Sequence, residues 1–425
     1  MKINKISKIK AEIKVPADKS ITHRAIMLSC LANGTSVVNN YLHSDDCLMT
    51  INAFKAMGVD ILQTSDKLTI KGAGLNGLKK SQKNIYAGNS GTTTRLISGI
   101  LAGQNFSTTI TGDDSLSKRP MKRVIEPLRL MNADITATQD NFLPMTIKEV
   151  RGLKPIDYIS KVASAQVKSC ILLAGLYAGG ITSITEPEKS RDHSERMMRA
   201  FGADIFEDNL KVSIKKCERL FPREINVPSD ISSAAFFMVA GLILQNSRIK
   251  ITGVNINPTR DGIIEILKNM GADIKIDNMK NFSGEEVADI EVGSSDLHGV
   301  NINGKIMPRL VDEIPILALC ATQAEGTTVI SGAKELRVKE SDRLSAVAGQ
   351  LKKMGADITE TEDGLIICGR TKLTGCKVDS FKDHRIAMML SIAGLIAEGS
   401  TEIIDSDCVN ISFSNFYDIL KSVCI

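Results

Sequence analysis

The pentapeptide MGVDI (57–61) returns as MNADI (131–135), FGADI (201–205), MGADI (270–274) and MGADI (354–358). Each copy follows a stretch with helical apolar spacing. Leu48, Ile51, Phe54 and Met57 precede the first strand, and Leu344, Val347, Leu351 and Met354 the last. The glycine suits the left-handed residue that ends a helix, and Asn132 can take that place in the second copy. The Asp-Ile that follows opens a strand. A second phrase closes another set of apolar helices: ANGTSVV, AGQNFSTTI, AGGITSI, LQNSRIKI, AEGTTVI and AEGSTEI. Its comparable positions, Ala32, Ala102, Ala178, Leu244, Ala324 and Ala397, lie 66–80 residues apart. Chance recurrence of a common tetrapeptide does not produce five copies in register with a second, six-fold phrase. Six units of roughly 70 residues therefore account for the chain, each reading strand, helix, strand, strand, helix, strand. Solenoid repeats run to roughly 20–50 residues. A unit of this size is instead a small α/β subdomain, and six of them most simply form two lobes of three.

Composition narrows the partners. Aromatic residues make up 4% of the 425, with no Trp, so a stacking surface for single-stranded nucleic acid is not expected. The net charge of +4 is small, and no run of Lys and Arg forms a nucleic-acid stripe. The nine cysteines include no C-x-x-C pair and no zinc-like spacing to histidine. Reduced thiols in a cytoplasmic protein without structural metal are expected. The N-terminal MKINKISKIKAEIKV reads as an amphipathic strand pair rather than a signal peptide. The longest apolar run, 170–181, is about one helix core and too short to span a bilayer.

The chemistry is expected at the starts of the six apolar helices. They read VPADKSITHR (15–24), AGNSGTTTR (87–95), VASAQVKS (162–169), VPSDISSAA (227–235), RLVDEIPIL (309–317) and FKDHRIAMM (381–389). Their first turns carry Lys19, Ser20, Arg24, Asn89, Gly91, Thr92, Ser164, Gln166, Asp312, Asp383, His384 and Arg385. Helix N-termini present free N–H groups and a positive potential, and so favour anions. Ordinary capping explains Asp230, Asp383 and Ser164. It does not explain Lys19, Arg24 and Arg385, which oppose the helix dipole and make sense facing a ligand anion. Gly88 and Gly91 flank Asn89-Ser90 just before a helix, which suits backbone approach to an anion as well as a plain capped turn. Further basic clusters are SLSKRPMKR (115–123), where Arg119-Pro120 opens a helix, EKSRDHSER (188–196) and LRVKESDRL (336–344). The last also suits a solvated helix start laced with local ion pairs.

Taken in order, GNSGTTTRL, LSKRPM, LRVKESDRL and DHRIAM resemble the 5-enolpyruvylshikimate-3-phosphate synthase family, over essentially the whole chain. The resemblance implies a two-lobed, inside-out α/β barrel architecture of six repeats, three per lobe. One lobe would span 19–228 and the other would join 1–18 to 229–425, with the active site in the cleft between them. It implies transfer of the enolpyruvyl group of phosphoenolpyruvate to the 5-hydroxyl of shikimate 3-phosphate, with release of phosphate. No metal or cofactor is implied, and a monomer is expected. Planar guanidinium forks suit the phosphates and carboxylates of both substrates. By the family pattern Arg119, Arg343 and Arg385, with Lys19, Gln166 and the Gly91-Thr92 backbone, would hold phosphoenolpyruvate. Lys19, Ser20, Arg24, Ser164, Ala165, Gln166, Arg191, Asp312 and Lys339 would hold shikimate 3-phosphate. Asp312 as base and Glu340 as acid, with Lys19 a further proton donor, would move the protons. Family members are glyphosate targets, the inhibitor occupying the phosphoenolpyruvate site, which Gly91 leaves open.

Three departures resemble the second bacterial class of the family. Ser164-Ala165-Gln166 stands where many members have Ser-Ser-Gln, Arg191 where others use Ser, and Ile411 where some have Lys. The sister transferase acting on UDP-N-acetylglucosamine would have Lys-Asn near residue 20 and a reactive Cys on a loop near 115. Here Lys19-Ser20 and 115–119, without cysteine, occupy those places. A non-catalytic scaffold would be marked by loss of Lys19, Arg119, Asp312, Glu340 or Arg385, and all five are present.

Overall fold

The structure, a computed structural model, describes residues 1–424. The repeated pentapeptide closes five surface helices: Asp45–Ala56, Lys122–Leu130, His193–Ala200, Gly262–Asn269 and Arg343–Lys353. Met57, Met131, Phe201, Met270 and Met354 are their C-caps, and all five are buried. Gly58, Asn132, Gly202, Gly271 and Gly355 follow with φ between +75° and +99°, the left-handed conformation that the repeat predicted. An apolar plug at the cap and a left-handed residue after it turn the chain into the next strand. Asn132 is the one non-glycine in the set. Asn132→Ala is expected to cost about 1 kcal/mol in thermal or denaturant unfolding, and Asn132→Gly almost nothing, because alanine has a Cβ that crowds this left-handed backbone without the polar group by which asparagine offsets it, and glycine has no Cβ. Leu48, expected on the buried stripe, is instead 39% exposed.

Among the described residues the strands form six sheets, five of four strands and one of three. One sheet sets the pattern, in the spatial order Ile85–Tyr86, Thr108–Thr111, Phe142–Lys148, Asp134–Thr138. The first pair is parallel and the other two antiparallel. The chain order is thus strand, helix, strand, helix, strand, strand, a correction to the outline read from sequence. A parallel pair needs a helical crossover, whereas an antiparallel hairpin closes with a short turn. The hairpin strands therefore follow one another directly, and a single strand separates the two helices.

The sixth sheet, Lys377–Asp379, Ser400–Ile404 and Lys2–Asn4, contains no such hairpin. This is why the pentapeptide occurs five times and the helix-ending phrase six. Lys2–Asn4 pairs antiparallel with Ser400–Ile404, and Lys10–Ile13 pairs parallel with Arg248–Asn255. The N-terminal strands therefore belong to two different sheets and do not form the expected pair. Each supplies an edge that the later chain leaves open.

The chain divides into two compact units, one of residues 17–227 with 282–285, the other of residues 1–16, 228–281 and 286–425. The first holds helices α1 (Lys19–Leu31), α2 (Gly91–Ala102) and α3 (Ala165–Gly175), and the second α4 (Ile231–Ile243), α5 (Ile314–Thr322) and α6 (His384–Ile396). These six are buried along nearly their whole length. A helix that is apolar all round has no solvent face and must be wrapped by other elements, here by the sheets of its own unit. Close packing demands small residues at crossings. A Cβ on Gly99 of α2 would lie 2.1 Å from the Cys170 carbonyl oxygen of α3.

Candidate active site

In the unit of residues 17–227, the polar N-termini of α1, α2 and α3 collect the expected side chains. Asp18 caps α1 by accepting from the Ile21 amide at 2.9 Å, which makes Lys19 and Ser20 its first two residues. Lys19 Nζ lies 2.9 Å from Asp46 Oδ2. Arg24 is in the second turn, not the first, so the helix-dipole argument does not apply to it. It is buried, and donates from Nε to Ser194 Oγ (2.6 Å), from Nη2 to Ser169 Oγ (2.9 Å) and from Nη1 to the Ser20 carbonyl (3.0 Å). Burial lowers its pKa to about 10. Glu195 and Asp18 oppose the shift, and the nearby positive charge of Arg191 adds to it. Two cations held near one another with one of them buried favour an anionic partner.

Ser90 caps α2 through the Thr93 amide at 3.2 Å, so the glycine-flanked turn is also an ordinary cap. What sets it apart is the side chains that surround it. Gln166 donates from Nε2 to Thr92 Oγ1 (3.0 Å) and accepts at Oε1 from Arg95 Nη1 (2.7 Å), bridging the starts of α2 and α3. Arg119 donates from Nη2 to Asn89 Oδ1 and, at 3.3 Å, to Ser115 Oγ. It does not open a helix: it caps the short turn Leu116–Lys118, and the helix begins at Lys122. A Cβ on Gly91 would lie 3.0 Å from Arg95 Nη1 and 3.5 Å from Arg119 Nη1. Gly91, Thr92, Arg95, Arg119 and Gln166 are therefore one cluster. Arg95 was quoted within its motif but not singled out from sequence. Its position four residues after Gly91, on the same helical face, was the available signal. Ser164 caps α3, and Ala165 is the first residue of that helix.

In the other unit, LRVKESDRL separates into two functions. Arg337 faces outward and pairs with Asp342 and Glu360, each at 2.8 Å, as a solvated helix start would. Arg343 is buried at the first position of its helix. Its Nε contacts Asp383 Oδ2 (2.8 Å), Nη1 contacts Asp312 Oδ1 (3.3 Å) and Nη2 contacts Glu340 Oε2 (2.6 Å). Burial alone would lower its pKa, but Asp383, Glu340 and Asp312 raise it well above the usual value. Arg385, in the first turn of α6, donates from Nη1 to the Asp312 carbonyl at 3.1 Å, and its Nη2 lies 3.7 Å from Asp312 Oδ2. Lys339 is partly buried. Burial lowers its pKa, against the pull of Asp312. The three carboxylates around Arg343 differ in access. The side chain of Asp383 is 0% exposed, those of Asp312 and Glu340 16% and 19%. Asp383 also accepts from the Arg385 amide at 2.9 Å. It is a helix cap, as its sequence position predicted, and it also orients Arg343, which sequence reasoning missed. Asp312 and Glu340 have edges that a ligand can reach.

The C-terminal NISFSNF segment serves packing. Phe413 and Phe416 are buried and stack with Phe237 at centroid distances of 6.1 and 5.8 Å. Ile411 ends the short helix Ser406–Ile411 and is partly buried.

Residues 3–420 match the family described as EPSP synthase (3-phosphoshikimate 1-carboxyvinyltransferase). The 3-phosphoshikimate 1-carboxyvinyltransferase of Endomicrobium trichonymphae is 57% identical over 100% of this chain and 99% of that relative. The enzyme of the same name from Desulforamulus reducens is 52% identical over 100% of this chain and 99% of its own length. Among solved structures, an EPSP synthase from Acinetobacter baumannii superposes with a TM-score of 0.89 at 46% identity, covering 100% of this chain and 98% of that one. The full-length match, together with the retained side chains above, places this chain in the EPSP synthase (3-phosphoshikimate 1-carboxyvinyltransferase) family.

Proposed function

We propose that the side chains gathered in the two units carry the family's reaction, with Asp312 and Glu340 as the proton-transfer pair. The enzyme joins phosphoenolpyruvate and shikimate 3-phosphate and releases phosphate by addition and elimination. Asp312 takes the proton of the 5-hydroxyl as that oxygen bonds to C2 of phosphoenolpyruvate, and Glu340 gives a proton to the terminal methylene. The tetrahedral adduct then loses a proton from the new methyl group as the C2–O bond to phosphate breaks, leaving the enol ether. Lys19 supplies a further proton donor beside the phosphates. The observation that carries this reading is the placement of Asp312 and Glu340 on the two terminal nitrogens of one buried guanidinium.

Arg119, Arg343 and Arg385, with Lys19, Gln166 and the Gly91-Thr92 backbone, hold phosphoenolpyruvate in this assignment. Lys19, Ser20, Arg24, Ser164, Ala165, Gln166, Arg191, Asp312 and Lys339 hold shikimate 3-phosphate. One chain carries both sets, which supports a monomeric enzyme, and cysteines without any C-x-x-C pair support a reducing, cytoplasmic setting. Phosphate release from phosphoenolpyruvate should appear with shikimate 3-phosphate, and not with UDP-N-acetylglucosamine or with no acceptor. Release only with the sugar nucleotide would overturn the assignment.

Gly91 gives a second test. An added methyl group presses on Arg95 and approaches Arg119, so one guanidinium must shift. Gly91→Ala is expected to raise KM for phosphoenolpyruvate about tenfold. Glyphosate, expected to compete with phosphoenolpyruvate, should lose affinity in the same variant. Unchanged KM and inhibition constant in Gly91→Ala would remove Gly91 from the phosphoenolpyruvate site.

A further inference from the structure

Beneath the start of α3 lies a buried ionic cluster that the reaction does not use. Lys168 Nζ is 2.8 Å from Glu186 Oε2, 2.7 Å from Glu195 Oε1 and 3.2 Å from the Ser190 carbonyl. The three side chains are 1%, 2% and 0% exposed. An ammonium with two carboxylates in a dry interior is a poor source of stability, because desolvation offsets most of the attraction. Well-packed apolar residues would fill the same space at less cost, so the contacts these groups make to their surroundings matter more than their mutual pairing.

Those contacts converge on proposed acceptor-binding segments. Glu186 Oε1 accepts from the Ser164 amide at 2.9 Å. Its Oε2 accepts from Ser190 Oγ at 2.8 Å and from the Ser190 amide at 3.4 Å. One carboxylate therefore ties the residue that begins the Ser164-Ala165-Gln166 run to the residue just before Arg191. Lys168 fixes Glu186 in turn and holds the Ser190 carbonyl. The next residue on α3, Ser169, shares a 2.6 Å hydrogen bond with Ser194, and both accept from Arg24. Glu195 differs. Its ionic contact is with Lys168, and it bonds neither Ser164 nor Ser190. A glutamine there keeps the side-chain shape and leaves the Glu186 contacts to Ser164 and Ser190 in place.

We propose that Glu186, anchored by Lys168, is a positioning residue for the phosphorylated acceptor: it holds the start of α3 and the Ser190-Arg191 turn in the arrangement that receives shikimate 3-phosphate. The proposal rests on the assignment of Ser164, Gln166 and Arg191 to that substrate. A glutamine at 186 keeps the shape but replaces one accepting oxygen with a donor amide, so it must give up either Ser164 or Ser190.

The test compares Glu186→Gln, Glu195→Gln and Gln166→Ala in the full-length enzyme by calorimetric titration with shikimate 3-phosphate, steady-state kinetics and thermal melting. Glu186→Gln should weaken acceptor binding about tenfold or more. Its KM for shikimate 3-phosphate should rise in step, while kcat stays within about threefold, since Asp312 and Glu340 are untouched. Glu195→Gln should bind the acceptor as wild type does, whatever its melting temperature. If Glu186→Gln does not fold, Glu186→Asp, which keeps the charge and shortens the reach, carries the same comparison. Unchanged acceptor affinity in the folded Glu186 variant, or equal losses in the Glu186 and Glu195 variants that follow their melting temperatures, would overturn the proposal. Gln166→Ala separates the two levels. If it weakens acceptor binding while Glu186→Gln does not, positioning alone fails; if Gln166→Ala also has no effect, the site assignment fails with it.

Discussion

Replacing Asp312 with Asn should lower kcat by about 10²- to 10⁴-fold, the usual span for removing a positioned general base. The enzyme should remain folded, because Asn keeps the side-chain shape and the Arg385 contact to the Asp312 backbone carbonyl does not depend on the side chain. Asp312 also contacts the acceptor in the proposed assignment, so weaker binding of shikimate 3-phosphate should accompany the loss. Glu340→Gln should lower kcat by a similar factor with acceptor affinity unchanged, since in the proposed mechanism its proton goes to the donor's methylene carbon. Asp383 provides the contrast. It is the third carboxylate on Arg343 but has no exposed edge, so Asp383→Asn should act through stability and phosphoenolpyruvate affinity rather than through proton transfer. Single-turnover rates and a substrate titration on the three variants distinguish these outcomes. Near wild-type turnover in folded Asp312→Asn and Glu340→Gln enzymes would end the two-carboxylate mechanism.

Arg343→Met should be destabilised by about 3–5 kcal/mol, the range found when one partner of a buried ionic group is removed. Asp312, Glu340 and Asp383 all contact that guanidinium. Deleting it leaves three carboxylates facing one another around an apolar side chain. Arg343→Lys keeps the charge and should recover most of the stability but not the function. An ammonium cannot reproduce a planar fork whose three nitrogens each serve a different carboxylate. Each misplaced carboxylate then costs orientation at the reacting centre, and KM for phosphoenolpyruvate should rise about 10- to 100-fold. Chemical denaturation and KM measurement on the two variants check both effects. Equal KM for wild type and Arg343→Lys would show that charge alone suffices there.

The architecture was largely legible because it is local and repeated. The left-handed residue after each surface helix, the caps at Ser164, Asp230 and Asp383 and the largely apolar bodies of α1 to α6 follow from short-range backbone and solvation rules that act alike in every copy. Strand order was misread because period and propensity mark strands without saying which edge each joins. The N-terminal strands show this best: Lys2–Asn4 and Lys10–Ile13 lie a few residues apart yet join different sheets.

The candidate site divides in the same way. Lys19, Gly91 and Arg385 were candidates in advance because charged or small residues in the first turn of a buried helix conflict with its local preferences, whereas Arg119, Gln166 and Arg343 were named from the family motifs. Arg95 between Gln166 and Gly91, Asp383 beneath Arg343, and Lys168 joined to Glu186 and Glu195 lie up to 75 positions or so apart along the chain and were set by packing alone. Sequence by itself determined the six-fold scaffold and its family and pointed to candidate ligand-binding residues, since each is a short-range pattern. Only the tertiary structure decided which carboxylate stays buried with its arginine and which can reach a substrate, because exposure and ion pairing are properties of what folds against a side chain rather than of its neighbours along the chain.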